Sequence, residues 1–222
     1  MNRKLIAEAL GSFFLFATVI GSGVMGDSLS AGNAAVALLG NTMATSAMLF
    51  VLIAMLGPIS GAHFNPAVSL VMRLRGELTT RELVTYTLAQ VAGGVLGVWA
   101  AHVMFALPVV QFSHHARTGT GQWLGEFIAT FGLLLTILGT LKSRPQWVPA
   151  SVALYITAAY WFTSSTSFAN PAITIARSMT NSFSGIAPAD APMFIVAQLL
   201  GALLAAKVSS LLFALPIAEP TV

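Results

Sequence analysis

Two Asn-Pro-Ala triplets, Asn65-Pro66-Ala67 and Asn170-Pro171-Ala172, carry the most specific chemistry in the chain. Asn is a strong helix N-cap, because its side-chain oxygen accepts from first-turn backbone N–H groups. Pro is favoured at the first helical position, where its missing N–H costs nothing. Ala then continues the helix well. Each triplet therefore predicts a helix start, giving Pro66–Met72 and Pro171–Thr180, both too short to cross a bilayer. With the oxygens used as caps, the amide NH2 groups of Asn65 and Asn170 remain as donors. Each short helix also brings about half a positive charge to its N-terminus. Such groups orient polar, uncharged molecules and repel cations; they do not break bonds.

Other candidate groups are fewer. Glu8 and Glu126 are acids inside apolar runs. They read either as ion-coupling groups or as carboxylates accepting backbone N–H bonds from an irregular loop. His63 precedes the first triplet and is expected to pack beside it. Ser60 with His63 or His102 would be a conceivable nucleophile and base, but the chain has no G-x-S-x-G or H-E-x-x-H pattern. His102 and Lys207 are expected to snorkel or pair locally, and His114-His115 with Arg117 to form a solvated loop. There is no Cys, hence no thiolate redox or Cys-containing metal site. No enzyme activity, cofactor or metal is expected.

The elements that hold these residues follow from composition. Only 8% of the 222 residues are charged and 56% are hydrophobic, against about a quarter charged in soluble domains. A soluble globule, a disordered tail and a disulfide-rich secreted scaffold are excluded. The net charge of +3 is too small for a nucleic-acid footprint, so the lipid bilayer is the expected partner. A spanning helix needs about 20 apolar residues, and six candidates appear: Lys4–Val24, Ala34–Leu56, Leu83–Leu107, Trp123–Leu141, the short Pro149–Ser164, and Met193–Leu215. The first apolar run exceeds a signal-peptide core and reads as a retained span. An even span count with the N-terminus inside puts Arg3, Lys4, Arg73, Arg75, Arg81, Lys142 and Arg144 on the inner face, leaving Arg117 outside. That bias places both termini in the cytoplasm of a multi-pass plasma (inner) membrane protein.

The two halves repeat. LIAEALGSFF from Leu5 matches WLGEFIATFG from Trp123, aligning Glu8 with Glu126. The two triplets align next, then Gln90 with Gln198. Three spans per half force opposite insertion, so the expected architecture is an all-α membrane protein of six transmembrane helices plus two re-entrant half-helices in an inverted 3+3 repeat. Residues 1–222 form a single channel domain, with repeat one at about 1–108 and repeat two at about 122–222. Irregular backbone at Gly57–Phe64 and Ser164–Ala169 can exist at membrane depth only inside protein or lining a wet cavity. Carbonyls of Gly61, Ala62 and His63, and of Ser165, Thr166 and Ser167, would then supply acceptors. Gly93 and Gly97 form a GxxxG pair suited to close helix approach.

In its six spans, paired triplets and repeated Glu, the whole chain resembles the aquaporin or major intrinsic protein family. The resemblance implies a homotetramer with one pore per subunit and passive, bidirectional passage of water or small neutral solutes. It favours a structural role for Glu8 and Glu126. Water- and glycerol-conducting relatives usually carry Arg three residues after the second Asn; this chain has Ile173, and Arg177 follows one turn later. Arg177 would then rim the outer vestibule or meet a lipid headgroup. Family spacing puts the outer filter at Thr45, Ala158 or Ala159, Ser167 or Phe168, and Ile173. That set is small and uncharged, which implies a wide constriction. It resembles the bacterial branch associated with arsenic resistance, and implies metalloid hydroxides such as arsenite, polyol-like solutes and some water. A glycerol or water facilitator is the alternative, and an ion-coupled secondary transporter or a structural junction protein would be a different class.

Overall fold

The computed structural model describes residues 2–213. Eight α-helices follow in order: α1 Asn2–Leu29, α2 Ala34–Ser60, α3 Pro66–Leu74, α4 Thr80–Met104, α5 Thr120–Ser143, α6 Val148–Phe162, α7 Pro171–Arg177 and α8 Ala191–Leu212. Five of them (α1, α2, α4, α5 and α8) are long and apolar enough to cross a membrane. The remaining long helix, α6, has 15 residues, a rise of about 22 Å, and is extended at its start by a 3-10 turn at Pro145–Trp147. The expected sixth span ran to Leu215, and its last two residues lie outside the described residues, as does the end of repeat two.

Packing repeats between the halves. α1 packs on α4 and α2, as α5 packs on α8 and α6. Half-helix α3 lies against α4 and α7 against α8, but α3 also meets α8 and α7 meets α4. Each half therefore closes over the other's half-helix. The α1–α4 seam is a backbone-to-backbone contact, where a Cβ on Gly93 would overlap the Ala9 carbonyl and one on Gly97 the Phe13 carbonyl. Gly201 meets the Phe127 carbonyl in the same way at the α5–α8 seam. In lipid, close approach of this kind replaces hydrophobic drive as the source of helix affinity. Gly93→Val is expected to push α1 and α4 apart, costing about 3 kcal/mol, and to lower the midpoint of thermal unfolding in detergent micelles.

Some boundaries differ from expectation: α3 runs on to Leu74, α7 stops at Arg177 short of Thr180, and α2 is longer than expected. Irregular backbone was expected from Gly57, but α2 continues through Pro58 to Ser60. Pro58 sits in the last turn, so its missing N–H removes one helical bond. Gly61, in the left-handed region at φ 89°, closes the helix by donating to the Gly57 carbonyl. The irregular backbone leading into the two half-helices is confined to residues 61–65 and 163–170.

Candidate functional site

Both triplets start helices as their chemistry dictates. Asn65 Oδ1 accepts from Ala67 N at 2.9 Å. Asn170 Oδ1 accepts from Ala172 N at 2.9 Å and Ile173 N at 3.3 Å. The amide groups are not wholly free, however. Asn65 Nδ2 donates to the Ala169 carbonyl at 2.8 Å, and Asn170 Nδ2 donates to the Phe64 carbonyl at 2.9 Å. Each Asn is thus tied to the residue preceding the other. One amide hydrogen per residue is spent on that tie and one remains. Both side chains border the same cavity.

The approach segments are strained alike. Gly61, Ala62 and Phe64 have φ of 89°, 51° and 49°. Their counterparts Thr166, Ser167 and Ala169 have φ of 62°, 51° and 48°. A left-handed non-Gly residue costs about 1–3 kcal/mol, so something must hold each segment. In the first half it is Glu8, which accepts from Ser60 Oγ at 2.7 Å, His63 N at 3.0 Å, Phe64 N at 2.7 Å and Gln90 Nε2 at 2.8 Å. In the second it is Glu126, which accepts from Phe168 N at 2.8 Å, Ala169 N at 2.9 Å and Gln198 Nε2 at 2.6 Å. Hydrogen bonds to a charged group contribute about 1.5–3 kcal/mol each, so three or four of them outweigh the strain. Both carboxylates are fully buried and their oxygens occupied.

One cavity runs between the half-helices. Glu77, Leu141 and Val148 border it at the end that carries Lys4, Arg75 and Lys142; Tyr160, Phe168 and Arg177 border it at the opposite end. Its walls are rows of apolar side chains four residues apart: Leu133, Ile137 and Leu141 on α5, and Val148, Val152, Ile156 and Tyr160 on α6. Asn65 and Asn170 interrupt this wall midway.

The structure brings Thr45, Ser167, Phe168 and Ile173 to the cavity wall, together with Gly61, Ala62 and His63. It does not bring four others. Ala158 is exposed on the outer face of α6 and Ala159 is buried away from the cavity. Tyr160 takes their place, with its hydroxyl 3.4 Å from Thr45 Oγ1. A phenol at this point of the wall fills more of the cavity than an alanine would. Ser165 and Thr166 also lie off the wall. The Ser165 carbonyl is turned to Arg117 Nη1 at 3.4 Å, and Thr166 N bonds back to the Thr163 carbonyl at 3.3 Å. Ser167 Oγ is buried without a protein partner.

Histidines and arginines are placed by local bonds. His63 Nδ1 sits 3.0 Å from Ser69 Oγ, which also accepts from Gln90 Nε2. Ser60 bonds to Glu8, not to His63, so no nucleophile–base pair forms there. His102 does not snorkel; it is fully buried between the Val109 carbonyl and Thr180 Oγ1, both at 2.8 Å. Arg177 meets no headgroup: it is 3% exposed and borders the cavity. Its counterpart in the first half is Met72, which also borders the cavity. Arg117 leaves its expected solvated loop and folds inward. Burial lowers the proton affinity of its guanidinium, and the Glu126 carboxylate opposes that effect. His114 and His115 remain exposed.

The sequence matches the family described as Major intrinsic protein over residues 1–168 and again over residues 146–218. The chain belongs to the major intrinsic protein family. It is a multi-pass membrane channel for small neutral solutes, not an enzyme. It is 56% identical to the aquaglyceroporin AqpS of Rhizobium meliloti (strain 1021) over 205 residues, covering 92% of this chain and 88% of that protein. It is 30% identical to aquaporin Z of Photorhabdus laumondii over 173 residues, covering 69% of this chain and 73% of that protein. Among solved structures, the aquaglyceroporin from Plasmodium falciparum shares the fold at a TM-score of 0.74 and 20% identity, over 93% of this chain and 94% of that one.

Proposed function

We propose that the cavity passes small uncharged, hydroxyl-bearing solutes, metalloid hydroxides such as arsenite and polyol-like molecules, together with some water. The observation that carries this reading is the wall itself. It is apolar along most of its length, has two amide donors midway, and has Ile173 where a charged donor would otherwise project. A solute that sheds its water there meets few replacement partners, so nothing binds tightly and transit is fast. Arsenous acid at neutral pH is an uncharged trihydroxide, close to a small polyol in size and hydrogen bonding. The similarity to a protein named as an aquaglyceroporin supports the same class. The proposal includes a homotetramer, as the family resemblance implies, and both termini cytoplasmic in the plasma (inner) membrane, an orientation that the distribution of basic residues supports.

Tyr160 favours a second reading, a glycerol or water facilitator, because its phenol, in contact with Thr45, takes up cavity space that an alanine would leave open. Ion coupling has no such support, since Glu8 and Glu126 already accept from backbone and amide donors. Stopped-flow light scattering on proteoliposomes, comparing arsenite, glycerol, urea and water, separates the readings. Arsenite entry above that of empty vesicles supports the first, and glycerol or water entry without arsenite entry supports the second. Ile173→Arg is expected to slow arsenite and glycerol by about tenfold while water falls less, a cost of about 1.4 kcal/mol to the larger solutes. Equal rates before and after the change would remove Ile173 from the selectivity argument.

A further inference from the structure

At the end of the cavity beyond Ile173, two guanidiniums lie over one aromatic ring. The Arg177 Cζ is 3.4 Å from the Phe168 ring centroid, and the Arg117 Cζ is 5.2 Å from it. They come from distant parts of the chain, the end of α7 and the loop between α4 and α5. Both are fixed. Arg177 Nε donates to the Ser184 carbonyl. Arg117 Nε donates to the Gly185 carbonyl at 2.8 Å, and its backbone N donates to Asp190 Oδ2 at 2.8 Å. The loop itself is strapped down, with Ser113 N on the Ser178 carbonyl and Ala187 N on the His115 carbonyl. Among the described residues neither guanidinium has a carboxylate within ion-pair distance; the two ion pairs, Lys4–Glu82 and Arg75–Glu77, are at the other end.

We infer that Arg117 and Arg177, clamped on Phe168, form the governing cation barrier of this channel, an assignment that rests on the cavity being the solute path. The position nearest the constriction, Ile173, is uncharged, so charge and size are judged at different depths. Size is set beside the wall that Tyr160 and Thr45 form together, their hydroxyls 3.4 Å apart, and charge is judged farther out, one turn beyond Ile173. An arriving cation meets Arg177 on the cavity wall and the field of Arg117 behind it, off the wall and against the same ring, in a partly desolvated mouth where that field is poorly screened. A neutral trihydroxide feels no net force there. Phe168 holds the two guanidiniums at fixed positions through its ring face. Arg117 brings the outer loop into selectivity, a role its sequence position does not suggest.

The test uses full-length protein in proteoliposomes, with sodium leak read by an entrapped indicator and glycerol flux by light scattering. In Arg117→Gln, Arg177→Gln and the double variant, sodium leak relative to glycerol flux is expected to rise, by about tenfold or more in the double variant. Arg177→Lys keeps the charge and is expected to keep sodium out. A double variant with intact glycerol flux and unchanged sodium leak overturns the inference. If the double variant loses glycerol flux through misfolding, Arg117→Gln alone decides, and an unchanged sodium leak there overturns it equally. Absence of glycerol flux in the unsubstituted protein would instead sink the proposed function.

Discussion

Glu126→Gln is expected to destabilise the protein by about 3 kcal/mol and to reduce solute flux at least about tenfold. The shape of the side chain hardly changes, so the cause is purely the pattern of donors and acceptors. Glu126 Oε1 accepts from Phe168 N, and Oε2 accepts from Ala169 N and Gln198 Nε2. A glutamine presents an acceptor to one side only and an NH2 to the other, where it faces donors. At least one fully buried backbone N–H then loses its partner. The segment it held contains Thr166, Ser167 and Ala169 in the left-handed region, and that strain is no longer offset. Release of the segment moves Asn170, and with it the second half of the midway tie. Thermal unfolding in detergent and glycerol flux should fall together. Intact stability with a loss of gradient-dependent uptake would instead identify Glu126 as an ion-coupling group.

The Glu–loop arrangement was legible in the sequence because the repeat printed it twice. An acid in an apolar run is ambiguous alone, but Glu8 and Glu126 stand at matching places before matching triplets, each with a later Gln90 or Gln198. The structure joins those same pairs at 2.8 and 2.6 Å. The half-helices were legible for a local reason, since the capping chemistry of Asn-Pro-Ala needs nothing distant. Pro58 misled because a proline in the last turn costs one bond, not the helix. Counting through an irregular segment, where spacing carries no helical phase, leads to Ala158 or Ala159, which lie off the cavity wall. The wall row at Val148, Val152, Ile156 and Tyr160 was available as a four-residue period and would have pointed to Tyr160. Arg177 could have been placed from Met72, its counterpart in the repeat. The position of Arg117 was not available: it depends on a loop folding back over a partner some fifty residues away, with no periodicity or motif to mark it.

Asn170→Asp is expected to leave the fold largely intact while cutting neutral flux by about tenfold, and its effect on cations separates the two barriers. The cap survives, because one carboxylate oxygen can still accept from Ala172 N and Ile173 N. A negative charge at a helix N-terminus adds about 0.3–1 kcal/mol of stability. The other oxygen replaces an amide that donated to the Phe64 carbonyl at 2.9 Å, so an attraction becomes a repulsion and the tie between the halves opens on that side. Charge-assisted hydrogen bonds are about twice as strong as neutral ones, so a passing hydroxyl is held longer; about 1.4 kcal/mol of extra holding gives the tenfold slowing. The new charge also cancels much of the positive field at the midpoint. Barriers in series are governed by the highest, and Arg117 and Arg177 still stand at the mouth. Sodium leak should therefore stay near its original level in Asn170→Asp alone and rise beyond the arginine double variant only when the three substitutions are combined. A large sodium leak in Asn170→Asp by itself would put the governing barrier at the two Asn-capped helix ends and leave the outer guanidiniums with a lesser part.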